Sequence, residues 1–259
     1  MTSSEFLTAR EVQVGPFRLH DVSQEGVVER LVDLAVADLD APAFAFALHV
    51  GGLIERRDPA FVEAMAAADV VYADGGSVVW LAHLAGAERL DRAPTTDVGW
   101  KVLRGFAVRT GRRPRVALLG GVGGLAARAG AVLSDAGVAD VVLTDHGYHE
   151  DWQAPLAEVR ESLPDVLVVG LGAPLEMVWA VRHRSALPAC VTVTCGGWFG
   201  HLVGDEKRAP QVLRRSGLEW IARVAQAPRR LGPRYARGAA TTARLAIEIR
   251  RERHVRQER

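Results

Sequence analysis

The 259-residue sequence contains no asparagine, only two lysines, only two cysteines and no long hydrophobic run. Cys190 and Cys195 lie in or beside one predicted strand without metal-ligand spacing, so we interpret them as buried thiols in a reducing cytoplasm. No segment approaches the ~20 apolar residues that a membrane-spanning helix needs, and residues 1–11 lack a signal-peptide core. Arginine supplies nearly all the positive charge, a bias typical of a GC-rich bacterial genome. These absences favour a cytoplasmic protein.

Several motifs of common enzyme classes are also missing. The chain has no G-x-x-x-x-G-K-[ST] loop, which argues against a nucleoside triphosphatase, and no G-x-S-x-G turn, which argues against a common hydrolase. The glycine run at 120–124 is not a true G-x-G-x-x-G and lacks the acidic residue at the proper distance, which disfavours a dinucleotide site. The histidines at 49, 83, 146, 149, 183 and 201 do not show metal-site spacing. We therefore predict no metal and no cofactor.

Charge is distributed unevenly along the chain. The net charge is +1, but residues 207–259 hold fifteen Lys/Arg and four Asp/Glu, a local charge of +11, whereas residues 1–206 carry −10. A basic segment on an acidic body indicates an anionic partner such as a diphosphate, an anionic lipid or a nucleic acid. A solvated basic tail is the alternative for the last twenty residues. It fits residues 208–237 less well, because aromatic and apolar residues are interleaved there.

Predicted strands and helices alternate about six times in the first 206 residues. A short hairpin with a turn near Gly15 precedes them, and Ser23 and Ser77 are candidate helix N-caps. The alternation predicts an α/β fold, in which a Rossmann-like parallel sheet is flanked by helices and binds its ligand at the carboxyl ends of the strands. The predicted strands cover residues 43–50, 70–72, 115–119, 140–144, 165–169 and 190–194.

Residues 207–259 have no strand signal and predict a helical, arginine-rich C-terminal appendage to the 1–206 domain. We expect one helix through about Gln226 and another from about Ala239, separated by a break at Pro228–Pro233. Six arginines form a basic face at roughly helical spacing, and arginine suits bidentate phosphate contacts better than lysine. Ordinary surface charge is the alternative. The six are Arg214, Arg215, Arg223, Arg229, Arg230 and Arg234.

The stretch Asp165–Pro174 combines a strand, a glycine turn and a helix start. Its unbroken apolar run is typical of a strand buried on both faces, and Gly170 and Gly172 allow a sharp turn close to a ligand. Such a corner at the edge of a sheet is a phosphate-type binding site, although an ordinary strand-to-helix turn has the same pattern. Gly120 and Gly121 offer a similar cradle after an earlier strand.

Asp74 is the leading candidate for catalysis. It follows a predicted buried strand and precedes two glycines and a helix start, where a carboxylate can accept a proton from a hydroxyl nucleophile. The alternative is that Asp74 caps the helix beginning near Ser77.

The order of motifs resembles the WecG/TagA/CpsF glycosyltransferases of bacterial cell-envelope polymers, over about residues 12–238. Each piece is weak alone, and together in this order they are specific. The matching pieces are residues 57–59 with Phe61, 68–75, 92–97, 119–121, 146–148, 169–174, 196–199, 208–210, 217–220 and 228–231 with Arg234 and Tyr235.

The resemblance implies an inverting, metal-independent transferase that uses a nucleotide-diphosphate sugar, typically UDP-linked, and a hydroxyl acceptor. It implies Asp74 as general base, Arg92 in contact with donor or acceptor, and C-terminal arginines that neutralise the leaving diphosphate. It also allows a homo-oligomer and peripheral contact with the inner face of the cell membrane, and it implies no nucleic-acid partner. The implied nucleotide-sugar-binding residues are Gly120, Gly121, His146, Gly147, Tyr148, Gly170, Gly172, Glu176, Gly196, Gly197, Arg223, Arg230 and Arg234.

Three positions depart from the family pattern. The family has Thr-x-Asn in the strand before Arg57, whereas this chain reads Ala45-Phe46-Ala47-Leu48-His49 and has no Asn there. After the Ala-Pro pair the family has Lys-Gln-Glu, and this chain has Leu175-Glu176-Met177. After Gly-Gly-x-Phe the family has Asp, and this chain has Gly200 followed by His201. These differences leave the usual amino-sugar donor and lipid-linked acceptor open, and a small natural-product acceptor fits them. Two other hypotheses are a non-catalytic relative that binds a nucleotide sugar or a partner, and a basic-tailed protein that binds nucleic acid or membrane.

Overall fold

The computed structural model describes residues 10–205 and 228–257. The chain begins with an antiparallel hairpin of β1 (Glu11–Val14) and β2 (Phe17–His20), joined by a turn at Gly15-Pro16. Alternate residues of both strands, Val12, Val14, Phe17 and Leu19, are buried, so the hairpin covers part of the core. The predicted hairpin is thereby confirmed.

The main sheet has six strands, and all of its pairings are parallel, as predicted. Its spatial order is β4-β3-β8-β7-β5-β6, so the last strand of the sheet in sequence lies beside the first. The buried strands contain the apolar runs seen in the sequence, because both faces of the sheet are covered. The strands are β3 (Ala43–Leu48), β4 (Val70–Ala73), β5 (Arg115–Gly120), β6 (Asp140–Asp145), β7 (Val166–Gly170) and β8 (Val191–Thr194).

Helices cover both faces of the sheet and give the described chain three layers. The helices are α1 (Gln24–Val36), α2 (Val50–Ile54), α3 (Pro59–Ala66), α4 (Gly76–Ala85), α5 (Thr95–Thr110), α6 (Leu125–Asp135), α7 (Gln153–Glu161), α8 (Leu175–Arg182), α9 (Trp198–Leu202) and α10 (Pro228–Gln257). Buried residues of α3, α4, α7, α8 and α10 pack with the hairpin on one face, and those of α1, α5, α6 and α9 on the other. Cys190 and Cys195 are buried, as predicted.

Local signals explain where several helices begin and end. The hydroxyl of Ser23 accepts the N–H of Gly26 and caps α1, as predicted. The prediction that Ser77 caps α4 is wrong, because the N-cap is Gly75 and Ser77 already lies inside the helix. Gly86 ends α4 in the left-handed conformation, with φ of 106°.

The C-terminal segment differs from its prediction. Pro228 to Gln257 form one continuous helix, so the predicted break at Pro228–Pro233 is wrong; the other predicted helix, through Gln226, lies outside the described residues. Pro233 lies inside this helix and removes only one backbone hydrogen bond. Burial of Leu245, Ala246 and Ile249 against the sheet domain stabilises α10. No described helix is both long and apolar enough to cross a membrane.

Candidate active site

The carboxyl ends of all six parallel strands meet at one edge of the sheet. The chain leaves β3 toward one face of the sheet, through α2 and α3, and leaves β8 toward the other, through α9. Because β3 and β8 are neighbours, this divergence opens a crevice between their ends. The residues that follow β3, β4 and β8 are therefore candidates for the site.

Asp74 is the first residue after β4 and lies at this crevice. Its N–H donates to the carbonyl of Leu48 at 2.9 Å, and its side chain is half-buried. A Cβ placed on Gly196, which follows β8, would lie 3.5 Å from the Asp74 carboxylate, so the two strand ends are close. Gly75 is the N-cap residue of α4, so Asp74 is not.

The segment that carries Arg92 runs alongside β4. The N–H of Ala93 donates to the carbonyl of Ala73 at 2.7 Å, which places Arg92, a half-buried residue, beside the Asp74 strand end. The Asp21 carboxylate, only 5% exposed, accepts the backbone N–H groups of residues 88, 89 and 90 at 2.8–3.1 Å. Asp21 therefore fixes the position of the loop that leads to Arg92, through hydrogen bonds to its backbone.

A buried hydrogen-bonded chain supports the floor of the site. The Tyr72 hydroxyl contacts the Thr95 hydroxyl at 3.2 Å, and Thr95 donates to the carbonyl of Thr194 at 3.1 Å. Burial raises the pKa of Tyr72, and the negative charge of Asp74 adds to that rise. Tyr72 is therefore neutral at physiological pH. The hydrogen bonds of Tyr72, Thr95 and Thr194 link β4, α5 and β8 close to Asp74.

Glu176, in the first turn of α8, is a buried carboxyl group near Asp74. Its side chain accepts the N–H of Gly172 at 3.0 Å, and the residue is 1% exposed. Burial raises the pKa of Glu176 to about 8, and repulsion by Asp74 contributes to the rise. Glu176 is therefore mainly protonated at neutral pH.

Arg234 reaches the crevice from α10. A Cβ on Gly51 would collide with the Arg234 guanidinium and with the ring of His49, so these groups surround Gly51. His49 caps α2, because its Nδ1 accepts the N–H groups of Gly51 and Gly52 at 2.9 and 3.4 Å. One turn further along, α10 packs Gly238 directly against Val50. This packing brings a cation of the C-terminal helix to Gly51, just past the end of β3; β3 pairs with β4, the strand that Asp74 follows.

The predicted glycine turns fall into two groups. A Cβ on Gly120 would collide with the carbonyl of Gly170, and a Cβ on Gly147 would lie 2.9 Å from the Cα of Gly120. Gly121 packs closely on Leu125. These glycines allow neighbouring strand ends to pack, whereas Gly172, with φ of 81°, faces open space where a ligand could approach.

A histidine cluster lies at the far edge of the sheet, after β6. The Asp145 carboxylate contacts His149 Nε2 at 2.8 Å, and the rings of His146 and Tyr148 are nearly parallel, 6.4 Å apart. The ligand atoms of Asp145, His146 and His149 lie within 4.8 Å of one another, a grouping that sequence spacing did not single out. His146 Nδ1 accepts the N–H of Tyr148, so a metal at its other ring nitrogen would require the opposite tautomer. The prediction that the chain uses no metal stays a prediction.

The structure thus places most predicted site residues along one edge of the sheet. Asp74, Arg92, Arg234 and Gly196–Gly197 lie at the β3, β4 and β8 ends; Gly170, Gly172 and Glu176 follow β7; Gly120 and Gly121 follow β5; and residues 146–148 follow β6. Arg223 lies outside the described residues, and the side chain of Arg230 is not among those described.

Sequence reasoning missed the roles of Asp21, Thr95 and His49. Asp21 accepts N–H groups 67–69 positions away, and Thr95 bonds to residues 23 and 99 positions away, so no local pattern could reveal them. His49 did carry a signal, because a polar residue directly before a Gly-Gly pair at a strand end can cap a short helix.

A three-layer α/β arrangement around a parallel sheet places the chain in the Rossmann-like class of folds, whose ligands bind at the carboxyl ends of the strands. Residues 12–256 match the sequence model of the WecG/TagA/CpsF family of glycosyl transferases. The chain belongs to this family, as the order of its motifs predicted. It is therefore a glycosyltransferase, an enzyme that takes a nucleotide-sugar donor and an acceptor.

Proposed function

We propose that this protein is an inverting, metal-independent glycosyltransferase that moves a sugar from a UDP-linked donor to a hydroxyl acceptor. The observation that supports the proposal best is the placement of Asp74 beside Gly196 at the crevice, with Arg234 close to the neighbouring strand end. The two groups supply the base and the cation that such a transfer needs.

In the proposed reaction the acceptor oxygen attacks the anomeric carbon on the face opposite the nucleotide. The proton of the acceptor hydroxyl passes to the Asp74 carboxylate as the new carbon–oxygen bond forms. The bond between the anomeric carbon and the diphosphate oxygen breaks, and its electron pair stays on UDP. Arg234 and other C-terminal arginines stabilise the negative charge that develops on the diphosphate.

The donor would lie along the sheet edge, with its sugar near Asp74 and its nucleotide toward β7, β5 and β6. Gly172 offers open backbone for the diphosphate, and the N-terminal end of α6 attracts negative charge. His146 and Tyr148 present parallel rings at the far end, and Tyr148 is 52% exposed. As the acceptor we propose a small natural product rather than a polyprenyl-diphosphate-linked sugar, because three positions depart from the family pattern.

A non-catalytic relative remains the second candidate, because positions 49, 175–177 and 200 depart from the family pattern. Leu48 and Met177 are core residues here, and Gly200 is buried without a side chain. Only Glu176 and His49 present polar groups at these three places in the described site.

Nucleotide binding and one substitution test the proposal. Calorimetry with UDP, ADP, GDP and TDP should show selective binding of UDP. Asp74→Asn should keep that binding but lower transfer or donor hydrolysis about 100-fold or more, because general-base catalysis contributes ~10²–10⁴-fold. Asp135→Asn, at an exposed position on α6, is the matched control. Full activity of Asp74→Asn would refute the mechanism, and UDP binding without any turnover by the wild-type protein would favour the non-catalytic relative.

A further inference from the structure

His49 joins the end of β3 to the short helix α2, and it lies next to the proposed base. A Cβ on Gly75, the residue after Asp74, would lie 3.7 Å from the Cα of His49 and 3.9 Å from its Cβ. Asp74 also donates its N–H to the carbonyl of Leu48, directly before His49, at 2.9 Å. The backbone of His49 therefore lies against the segment that carries Asp74.

The hydrogen bonds of the His49 ring fix which of its two nitrogens carries the proton. Its Nδ1 accepts the N–H groups of Gly51 and Gly52, at 2.9 and 3.4 Å, so the lone pair of Nδ1 is occupied. In a neutral imidazole the other nitrogen, Nε2, then carries the proton. Protonation of Nδ1 would break both hydrogen bonds, because Nδ1 would no longer be an acceptor. Nε2 is therefore a hydrogen-bond donor, and the ring cannot replace Asp74 as the base.

The Arg234 guanidinium lies beside the same ring. A Cβ on Gly51 would collide with Nη2 of Arg234 and would lie 2.7 Å from Cε1 of His49, the ring carbon that joins Nδ1 to Nε2. The backbone of Gly51 is helical rather than left-handed, so it is the missing side chain of Gly51 that allows the two groups to approach each other. Two neighbouring donors, one of them a cation, therefore lie at the end of β3.

Capping of α2 does not by itself account for a histidine at position 49. Helix N-caps are most often Ser, Thr, Asp or Asn, whose short side chains accept the same N–H groups. The imidazole ring accepts them with Nδ1 and extends further, to a second polar atom that a short capping side chain lacks. This second atom, Nε2, lies near the Arg234 guanidinium. The longer side chain therefore adds a donor to the site, beyond the cap.

The chemistry of His49 and Arg234 fits an anionic phosphate oxygen. Hydrogen bonds from N–H donors to such oxygens are stronger than bonds between neutral groups, and a guanidinium adds its charge. In the proposed reaction the phosphate that carries the sugar lies across the anomeric carbon from the acceptor oxygen, and so only a few bonds from Asp74. The two donors lie on the strand next to the one that Asp74 follows, within reach of that phosphate.

We propose that His49 binds the donor by donating its Nε2–H to an oxygen of the sugar-bearing phosphate, next to Arg234. This inference rests on the proposed function, because it names a further residue of the same donor site. The hydrogen bond strengthens as the bond between the sugar and the phosphate oxygen breaks, since negative charge then develops on the phosphate. The proton stays on Nε2 throughout. His49 is thus a catalytic residue that stabilises the leaving group, whereas Asp74 activates the acceptor.

Calorimetry with UDP and UMP tests the inference, because only UDP has the second phosphate. His49→Ser keeps a hydroxyl that can cap α2 but removes the Nε2–H donor. We expect UDP to bind His49→Ser about tenfold more weakly than the wild-type protein, since a hydrogen bond to a charged group is lost, and UMP to bind both proteins equally. His83→Ser, at an exposed histidine of α4, is the matched control and should bind both nucleotides as the wild-type protein does.

Equal UDP affinity of His49→Ser and His83→Ser would overturn the inference, and so would an equal loss of UDP and UMP affinity in His49→Ser. Urea unfolding checks that the cap is kept, and His49→Thr, which also has a capping hydroxyl, takes the place of His49→Ser should that variant fail to fold. Selective binding of another nucleoside diphosphate would overturn the UDP donor alone, and the same comparison would then use that diphosphate and its monophosphate. Binding of none of them would overturn both proposals. A wrong role for His49 and a wrong donor are therefore distinguishable.

Discussion

Replacing Glu176 with glutamine should stabilise the protein increasingly as pH rises from 4.5 to 8. The pKa of Glu176 is raised from 4.5 to about 8 in the folded chain, so between these values the folded state keeps a proton that the unfolded state has lost. The free energy of unfolding of the wild-type protein therefore falls with rising pH over this window. Each pKa unit corresponds to ~1.36 kcal/mol, so the ionisation of this one group removes about 4 kcal/mol by pH 8 and approaches about 5 kcal/mol at higher pH.

Glutamine cannot ionise, and its side-chain oxygen can still accept the N–H of Gly172. The difference in unfolding free energy between Glu176→Gln and the wild-type protein should grow by about 3 kcal/mol between pH 4.5 and pH 7, and then level off above pH 8. Urea unfolding at pH 5, 6, 7 and 8 measures it, with Glu158→Gln at an exposed position of α7 as the control. Parallel stability curves for Glu176→Gln and the wild-type protein would refute the reasoning.

Two further substitutions test the supports of the site. Asp21→Ala should lower the free energy of unfolding by about 3 kcal/mol in urea titrations, because it leaves the buried N–H of Leu90 and the partly buried N–H groups of residues 88 and 89 without their acceptor. Asp40→Ala, at an exposed position, should change it little, and equal stability of the two variants would contradict the role of Asp21. Arg234→Gln should weaken UDP binding about tenfold by calorimetry, since a charge-assisted hydrogen bond contributes ~1.5–3 kcal/mol. Arg250→Gln, sixteen residues further along the same helix, should bind UDP normally, and equal affinity of the two arginine variants would exclude Arg234 from the donor site.

The alternation of strands and helices could be predicted because its signals are local. Residues 166–169 are all apolar and buried, and an unbroken apolar run of this kind indicates a strand in the middle of a parallel sheet. The hairpin at Gly15 and the cap at Ser23 were likewise readable from a few neighbouring residues. Where local signals competed, as in the proline-containing segment 228–233, the burial of Leu245 and Ile249 many residues away favoured a continuous helix.

The site was predictable in part for the same reason. Asp74 could be placed at a strand end from sequence, because an apolar run followed by Asp-Gly-Gly is a local pattern. The protonation of Glu176 could not be predicted from the sequence, because it depends on burial and on the carboxylate of Asp74, 102 positions earlier in the chain. The glycines at 120 and 147 looked like ligand cradles, and only the packed structure shows that they fill contacts between strand ends.

The sequence by itself determined the elements, the parallel sheet, the family and the strand-end position of the proposed base. The tertiary structure alone decided that β8 lies beside β3, which brings Gly196 to Asp74, and that α10 lies on α2, which brings Arg234 to Gly51. Local propensities select helices and strands, but the order of strands and the burial of charge follow from contacts between residues far apart in the chain.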